Sequence, residues 1–147
     1  MVDTGAYKAF DRSLYIKADT KGKSVISSWL SKNGHSVTDI TEKYSCDIVT
    51  EKDGVTHNSE VEIKFSWKGD WPDSWEEVRI PYRKNKLLTN TNLTFYVLRS
   101  DCKQAWAISA DTLQNIATVK EASNRYIRKG EKFFHIPVQH AHLLELP

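Results

Sequence analysis

The chain has 147 residues, of which 39% are hydrophobic and 27% are charged. This length suits one domain, residues 1–147, with a single core, and this composition excludes a disordered tail. The formal net charge of +2 is too small to indicate a nucleic-acid partner by itself, and no apolar run is long enough to suggest a membrane segment.

The N-terminal segment, MVDTGAYKAFDRSLYIK, has neither the basic start nor the apolar centre of a secretory signal, so we expect a cytoplasmic protein. The first predicted element is a helix from about Lys21 to Asn33. Asp19 or Thr20 can cap its start, its apolar residues recur at helical spacing, and Gly34 can end it.

Three predicted strands follow the helix. The first runs from His35 to Ile40, the second contains CDIVT and ends at Thr50, and the third runs from Ser59 to Ser66. Asp53-Gly54 between extended segments favours a two-residue hairpin turn, since both residues tolerate positive φ. A longer loop, from Lys52 to His57, is the alternative.

The charged residues of this hairpin share one predicted face. Asp47 lies opposite Glu60 if the turn has two residues, and opposite Glu62 if the loop is the longer one. Because side chains alternate between the faces of a strand, both registers place these acids on the same side as Lys64. Such a face is ordinarily the solvated side of an edge strand, where charge discourages aggregation. The opposite face takes Cys46, Ile48, Val61, Ile63 and Phe65.

The loop after the hairpin carries Trp67, Trp71 and Trp75 at four-residue intervals. We expect these side chains to close one end of the core as an aromatic lid, and a stacking surface for bases is the alternative. Pro81 can then open a helix that runs through Lys86 to about Thr89.

The second half of the chain predicts further strands. TFYVL (94–98) and QAWAIS (104–109) form two of them, and a short helix lies near 112–117. KFFHIPV (132–138) is extended, and a short apolar end, HLLEL (142–146), completes the chain. The order predicts a mixed α/β fold with a central mixed sheet flanked by helices, a core at about 21–109 and a small C-terminal appendage at about 110–147.

Two basic runs stand out. Four basic residues and no acidic one lie between positions 79 and 86, and RYIRK spans positions 125–129. Each run is either a solvated face or a contact surface for phosphates. The residues are Arg79, Arg83, Lys84, Lys86, Arg125, Arg128 and Lys129.

Histidines cluster near the C-terminus. His140 and His142 have the spacing that places two imidazoles on one side of a strand as zinc ligands, and His135 lies nearby. No acidic or cysteine partner stands at a suitable distance in the sequence, so we expect a surface role for these residues.

The position of Asp47 on the second strand and of Glu62-Ile63-Lys64 on the third resembles the PD-(D/E)XK nuclease superfamily. In that family a helix precedes a three-stranded meander that carries these motifs, and a helix and a further strand complete the sheet. The resemblance covers about residues 21–109 and implies a restriction-endonuclease-like core. Cys46 replaces the motif proline, and Asp19 is the nearest substitute for the acid that many relatives carry on the first helix.

The resemblance implies a Mg²⁺-dependent DNA endonuclease, in which Mn²⁺ can substitute. Its catalytic set is Asp47, Glu62 and Lys64, and its metal ligands are the two carboxylates and the Ile63 carbonyl. Lys64 then orients or helps to deprotonate the attacking water. The residues of the two basic runs contact double-stranded or branched DNA. Cutting both strands requires two active sites, so we expect a homodimer or homotetramer.

Small phage-type members of this superfamily, including homing endonucleases and Holliday-junction resolvases, have a similar size. We expect a homing endonuclease, which acts in the host cytoplasm if a phage encodes it. The alternatives are a junction resolvase or other structure-specific nuclease, a non-catalytic nucleic-acid-binding domain with the nuclease fold, and an unrelated α/β structural protein.

Overall fold

The computed structural model describes residues 12–40, 47–89, 92–121 and 130–147. Its elements are α1 (Arg12–Lys32), β1 (Ser36–Ile40), β2 (Ile48–Lys52), β3 (Val55–Lys64), β4 (Glu77–Pro81), the 3₁₀ helix η1 (Tyr82–Thr89), β5 (Leu93–Arg99), β6 (Gln104–Ser109), α2 (Ala110–Asn115), β7 (Thr118–Glu121), β8 (Lys132–Pro137), the 3₁₀ helix η2 (Val138–His140) and β9 (His142–Glu145). None of the helices in these residues has the length and apolar character needed to cross a bilayer.

Helix α1 begins well before the predicted start. Asp19 and Thr20 lie inside the helix and do not cap it. The sequence was misleading here because Asp, Thr and Gly are typical of helix ends. Gly22 is instead a packing residue, since a Cβ at this position would lie 3.0 Å from Ile63 Cδ1 on β3. Gly34, with φ at +90°, follows the helix end as predicted.

The central sheet has the strand order β1-β2-β3-β5-β6-β9. β3 and β5 run parallel, and the other neighbouring strands run antiparallel. The β2–β3 hairpin has a two-residue turn, because Lys52 pairs with Val55 and the φ angles of Asp53 and Gly54 are 54° and 78°. The shorter of the two predicted turns is therefore confirmed, and the longer loop is wrong.

The two faces of the central sheet carry separate cores. On the face toward α1, buried aliphatic residues include Ile26, Ile48 and Val61. The opposite core includes Phe95 on β5 and the fully buried Trp67. Trp71 and Trp75 pack against this second core, which confirms the predicted aromatic lid.

A second, three-stranded sheet has the order β4-β8-β7. This sheet packs against the second core, on the side of the central sheet where the sequence predicted helices. α1 flanks one face of the central sheet as predicted, whereas η1 and α2 are short. Val78 and Ile80 alternate as buried residues along β4, a signal of a strand that the sequence prediction missed. β7 is exposed at every position, so only its pairing with β8 identifies it. The fold is mixed α/β.

The C-terminal part is an integral part of the fold and not an appendage. β8 pairs with β4, and β9 extends the central sheet beside β6. Phe134, Ile136 and Leu146 are buried in the two cores. The extended segment at 132–138 was predicted correctly, but the pairing of β8 with β4 and of β9 with β6 was not, because long-range pairing leaves no local signature.

Candidate functional site

The candidate site lies where β3 continues beyond the start of β2. Ile48, the first residue of β2, pairs with Ser59, and residues 58–64 pair with β5 along the opposite edge of β3. Asp47 lies at the β2 edge of β3. Its Oδ2 accepts a hydrogen bond of 2.8 Å from the Val61 N–H, and its own N–H donates to Glu60 Oε2 at 3.2 Å. These two bonds fix Asp47 against the edge of β3.

The edge of β3 beside Asp47 also carries backbone carbonyl groups. Peptide groups alternate between the two edges of a strand, so the Ile63 carbonyl lies on the edge to which the Val61 N–H points. A small, shallow pocket opens here. It is lined by Ala18, Asp19, Val61, Glu62, Ile63 and Phe65.

Lys84 joins the acids on one side of this edge. Its Nζ is hydrogen-bonded to Glu60 Oε1 and lies 3.5 Å from Glu62 Oε2. The neighbouring Arg83 has its Nη2 3.7 Å from Glu62 Oε1, and its Nη1 is 3.5 Å from Glu131 Oε1. The η1 helix therefore supplies cations to both carboxylates of β3.

Lys23 joins the acids on the side of α1. Its Nζ lies 3.0 Å from Asp19 Oδ2 and 3.5 Å from Asp47 Oδ1. Lys23 is buried, although lysine is rarely buried without a partner. Asp19, the expected substitute for a helix acid, thus lies close to the site but is paired with a lysine.

Glu60 is the most strongly perturbed acid of the site. Only 6% of its surface is exposed, and burial together with the nearby Asp47 charge raises its pKa to about 7. Lys84 opposes this increase in the pKa of Glu60. Burial lowers the pKa of Lys84, but the carboxylates of Glu62 and Glu60 outweigh burial, so its net pKa is raised.

Lys64 occupies a different place from the other members of the motif. Its Nζ lies 5.3 Å from the centroid of the Trp75 ring, in a cation–π geometry. Within the described part of the chain it forms no ion pair with an acidic side chain. Burial and the charge of Arg79 lower the pKa of Lys64. Asp47 contacts Glu60 and Glu62 contacts Lys84, so both carboxylates border the Glu60–Lys84 pair, whereas the Lys64 ammonium does not.

The predicted DNA-binding residues fall into three groups. Arg79, Arg83 and Lys86 are exposed, with 60% of the Arg83 side chain accessible. Lys84 is directed into the acidic cluster. Arg125, Arg128 and Lys129 lie outside the described residues, as does Cys46 of the nuclease motif.

The expected surface role of the C-terminal histidines is wrong for one of them. His135 is only 4% exposed, and its Nδ1 is 3.2 Å from Glu77 Oε1. β8 lies between β4 and β7, which encloses this side chain in the small sheet. His140 and His142 are exposed.

Sequence reasoning missed the roles of Glu60, Lys84 and Lys23 in the site. Glu60 had a usable signal, because the two-residue turn places it opposite Asp47. Lys84 and Lys23 reach the acids from η1 and α1, and no sequence spacing relates these elements to the hairpin. Their contacts follow from how the helices pack.

The donor set is of the type that Mg²⁺ prefers. Mg²⁺ usually takes one or two carboxylates from a protein and keeps several waters, and Asp47, Glu62 and the Ile63 carbonyl provide oxygen ligands. No group of three or more His, Cys, Asp or Glu side chains in the described ranges is arranged to hold a metal. The ammonium groups of Lys23 and Lys84 at these oxygens show that the site attracts positive charge.

Comparison with protein-family models, with curated proteins and with solved structures gives no significant match to this chain. The chemistry of the site itself therefore carries the functional proposal.

Proposed function

We propose that this protein is a Mg²⁺-dependent DNA endonuclease whose centre is the edge of β3 beside Asp47. The observation that carries the proposal is the grouping of Asp47, Glu60 and Glu62 around Lys84 at one edge of β3. Acids gathered at such short range repel one another unless cations lie between them. This electrostatic arrangement suits a site that binds a divalent cation and a phosphate.

The order of elements supports the same proposal. A helix, an antiparallel three-stranded meander, a crossover and a strand parallel to β3 follow one another from α1 to β5. The PD-(D/E)XK resemblance implies this order. The crossover here contains β4 and η1, so the helix expected between β3 and β5 is a short 3₁₀ helix.

In the proposed reaction, a water oxygen forms a bond to phosphorus while the bond from phosphorus to one ester oxygen breaks. The proton lost by the water and the proton gained by the leaving oxygen are exchanged with solvent. Asp47, Glu62 and the Ile63 carbonyl would hold Mg²⁺, which supplies Lewis acidity and a more acidic water when bound. Ammonium and guanidinium groups around the centre offset the charge that develops on the phosphate.

The DNA partner is proposed from the exposed cations around the centre. Arg79, Arg83 and Lys86 lie on β4 and η1, and Arg83 directly adjoins Glu62. Such residues bind the phosphate backbone and set the register of the duplex without reading its sequence. A homodimer or homotetramer would supply the second centre for a double-strand cut. Either a homing endonuclease or a junction resolvase is compatible with these features.

The test is cleavage of supercoiled plasmid, linear genomic DNA and a four-way junction with and without Mg²⁺. Asp47→Asn should reduce metal-dependent cutting by about 100-fold or more, because it removes a charged ligand and weakens the metal site. Asp53→Asn is the matched control. It makes the same charge change at the exposed hairpin turn, where Asn is equally suitable. Equal cutting by wild type and Asp47→Asn would contradict the proposed centre.

A non-catalytic DNA-binding domain is the second candidate. It is favoured by the fact that Lys23 and Lys84 already neutralise much of the acidic cluster. This candidate predicts salt-dependent DNA binding without cutting. Arg83→Ala should weaken DNA binding. It should also reduce the slope of log affinity against log salt concentration by about one.

A further inference from the structure

Two lysines are candidates for the ammonium group that offsets the phosphate charge at the proposed centre. Lys64 belongs to the motif on β3, and Lys84 comes from η1 in the crossover. The Lys84 Nζ contacts both Glu60 and Glu62, whereas the Lys64 Nζ lies over the Trp75 ring. The tertiary structure therefore presents a different lysine at the acids from the one that the sequence motif indicates.

We propose that Lys84, and not Lys64, is the lysine that faces the scissile phosphate, with Glu60 as the residue that positions it. This inference rests on the proposed nuclease function. It assigns the charge-neutralising role to a residue outside the Glu62-Ile63-Lys64 tripeptide and gives Glu60 a role that the motif does not describe.

The unequal contacts of Lys84 explain how it could remain in place when a metal binds. Its Nζ is hydrogen-bonded to Glu60, whereas it lies 3.5 Å from Glu62 in an ion pair for which no hydrogen bond is found. If Glu62 served as a Mg²⁺ ligand, Lys84 would lose its longer contact and keep its hydrogen bond to Glu60. Glu60 would thereby hold the ammonium group at the acids, where it can meet a phosphate oxygen of the substrate.

Lys64 is held away from this position by its own contacts. Its ammonium group lies on the ring of Trp75, which packs with Trp71 at a centroid distance of 5.1 Å. Burial lowers the pKa of Lys64, and charge repulsion from Arg79 adds to this decrease. Moving Lys64 to the acids would cost the cation–π contact and place it beside Lys84, a second positive charge.

The first measurement is single-turnover cutting of plasmid DNA in Mg²⁺ by wild type, Lys84→Met and Lys64→Met. We expect Lys84→Met to lose about 100-fold or more in rate and Lys64→Met to lose about tenfold or less. Lys103→Met is the control, because Lys103 is exposed in the turn after β5 and lies outside the proposed site.

The second measurement is Mg²⁺ affinity by titration calorimetry, which does not depend on cutting. Lys84→Met should bind Mg²⁺ about tenfold more tightly than wild type, because it removes a cation that competes for Glu62. Lys64→Met and Lys103→Met should bind Mg²⁺ as wild type does. A rate loss together with tighter metal binding is not expected from a merely structural lysine.

A double variant is included in case Lys84→Met does not fold. Lys84→Met leaves Glu60 without its lysine, so Lys84→Met/Glu60→Gln removes both members of the pair and should keep the native circular dichroism spectrum. If Lys84→Met does not fold, the double variant replaces it in both measurements, with the same expected loss of rate and gain in Mg²⁺ affinity.

The outcomes separate the inference from the proposed function. If wild type cuts none of the DNA substrates in Mg²⁺, the nuclease proposal fails and the inference fails with it. If wild type cuts and Lys64→Met loses more rate than Lys84→Met, the inference fails and the nuclease proposal stands. Weaker Mg²⁺ binding by folded Lys84→Met would also overturn the inference, because Lys84 would then be supporting the metal ligands.

Discussion

The two faces of β3 differ in chemistry although they belong to one strand. On the face toward α1, Val61 packs among aliphatic residues such as Ile26 and Ile48. On the other face, Glu60 lies beside Phe95 of β5 and is as buried as many core residues. One face is stabilised by contact area, and the other requires counter-charges.

The comparison shows what permits charge inside this fold. Burying an unpaired carboxylate is costly, and the cost falls when a cation and hydrogen bonds accompany it. Glu60 receives Lys84 from η1 and the N–H of Asp47. The aliphatic side chains need no such partners. Their contribution to the free energy of unfolding should therefore depend on how well they fill the core and not on pH.

The largest expected effect on stability is at the aliphatic face. Ile48 is completely buried, so Ile48→Ala should lower the free energy of unfolding by about 2–5 kcal/mol through lost contacts and the cavity left behind. Urea unfolding at pH 5 and pH 8 should give the same loss. The exposed Val55→Ala on the same hairpin is the control, with an effect below about 0.5 kcal/mol. A strongly pH-dependent loss in Ile48→Ala would contradict the separation of the two faces.

A smaller, pH-dependent effect is expected at the charged face. The pKa of Glu60 is raised from 4.5 to about 7 in the folded protein, so the folded state binds more protons than the unfolded state between these values. Wild-type stability should therefore fall as pH rises through this window. Without metal, Glu60→Gln should be more stable than wild type by about 2–3 kcal/mol at pH 8, and this gain should disappear near pH 4.

The control for Glu60→Gln is Glu51→Gln, an exposed position on β2 of the same hairpin. It should leave the pH dependence of urea unfolding as in wild type. If both variants change stability equally at pH 8, general charge reduction and not the burial of Glu60 would be the cause.

The smallest expected effect tests how tightly α1 packs on the aliphatic face. A Cβ at Gly22 would lie 3.0 Å from Ile63 Cδ1 and 3.3 Å from Val61 Cγ1. Gly22→Ala gains about 1 kcal/mol in helix propensity, which this crowding should offset. In an Ile63→Val background, which lacks Cδ1, the same substitution should raise stability by about 0.5–1 kcal/mol. Thermal unfolding of the four proteins of this cycle measures the difference, and equal effects of Gly22→Ala in both backgrounds would contradict the close packing.

Much of the fold was accessible from the sequence because its signals are local. Asp53-Gly54 specified the hairpin turn, and alternation along β3 separated Val61 from Glu60 and Glu62. The early start of α1 was not accessible, because Asp19 and Thr20 resemble caps while packing on β3 keeps them helical. β9 was hidden because its pairing partner, β6, is distant in the sequence. β7 was hidden because its exposed residues carry no signal of burial.

For the candidate site, the sequence by itself determined which acids face the same side of the hairpin, through the two-residue turn and the period of two. Only the tertiary structure decided which cations reach those acids. Lys84 arrives through the crossover that a parallel β3–β5 pair requires, and Lys23 arrives because α1 packs across β3. Local spacing fixes side-chain direction along one strand, whereas the meeting of separate elements depends on how their buried surfaces fit together.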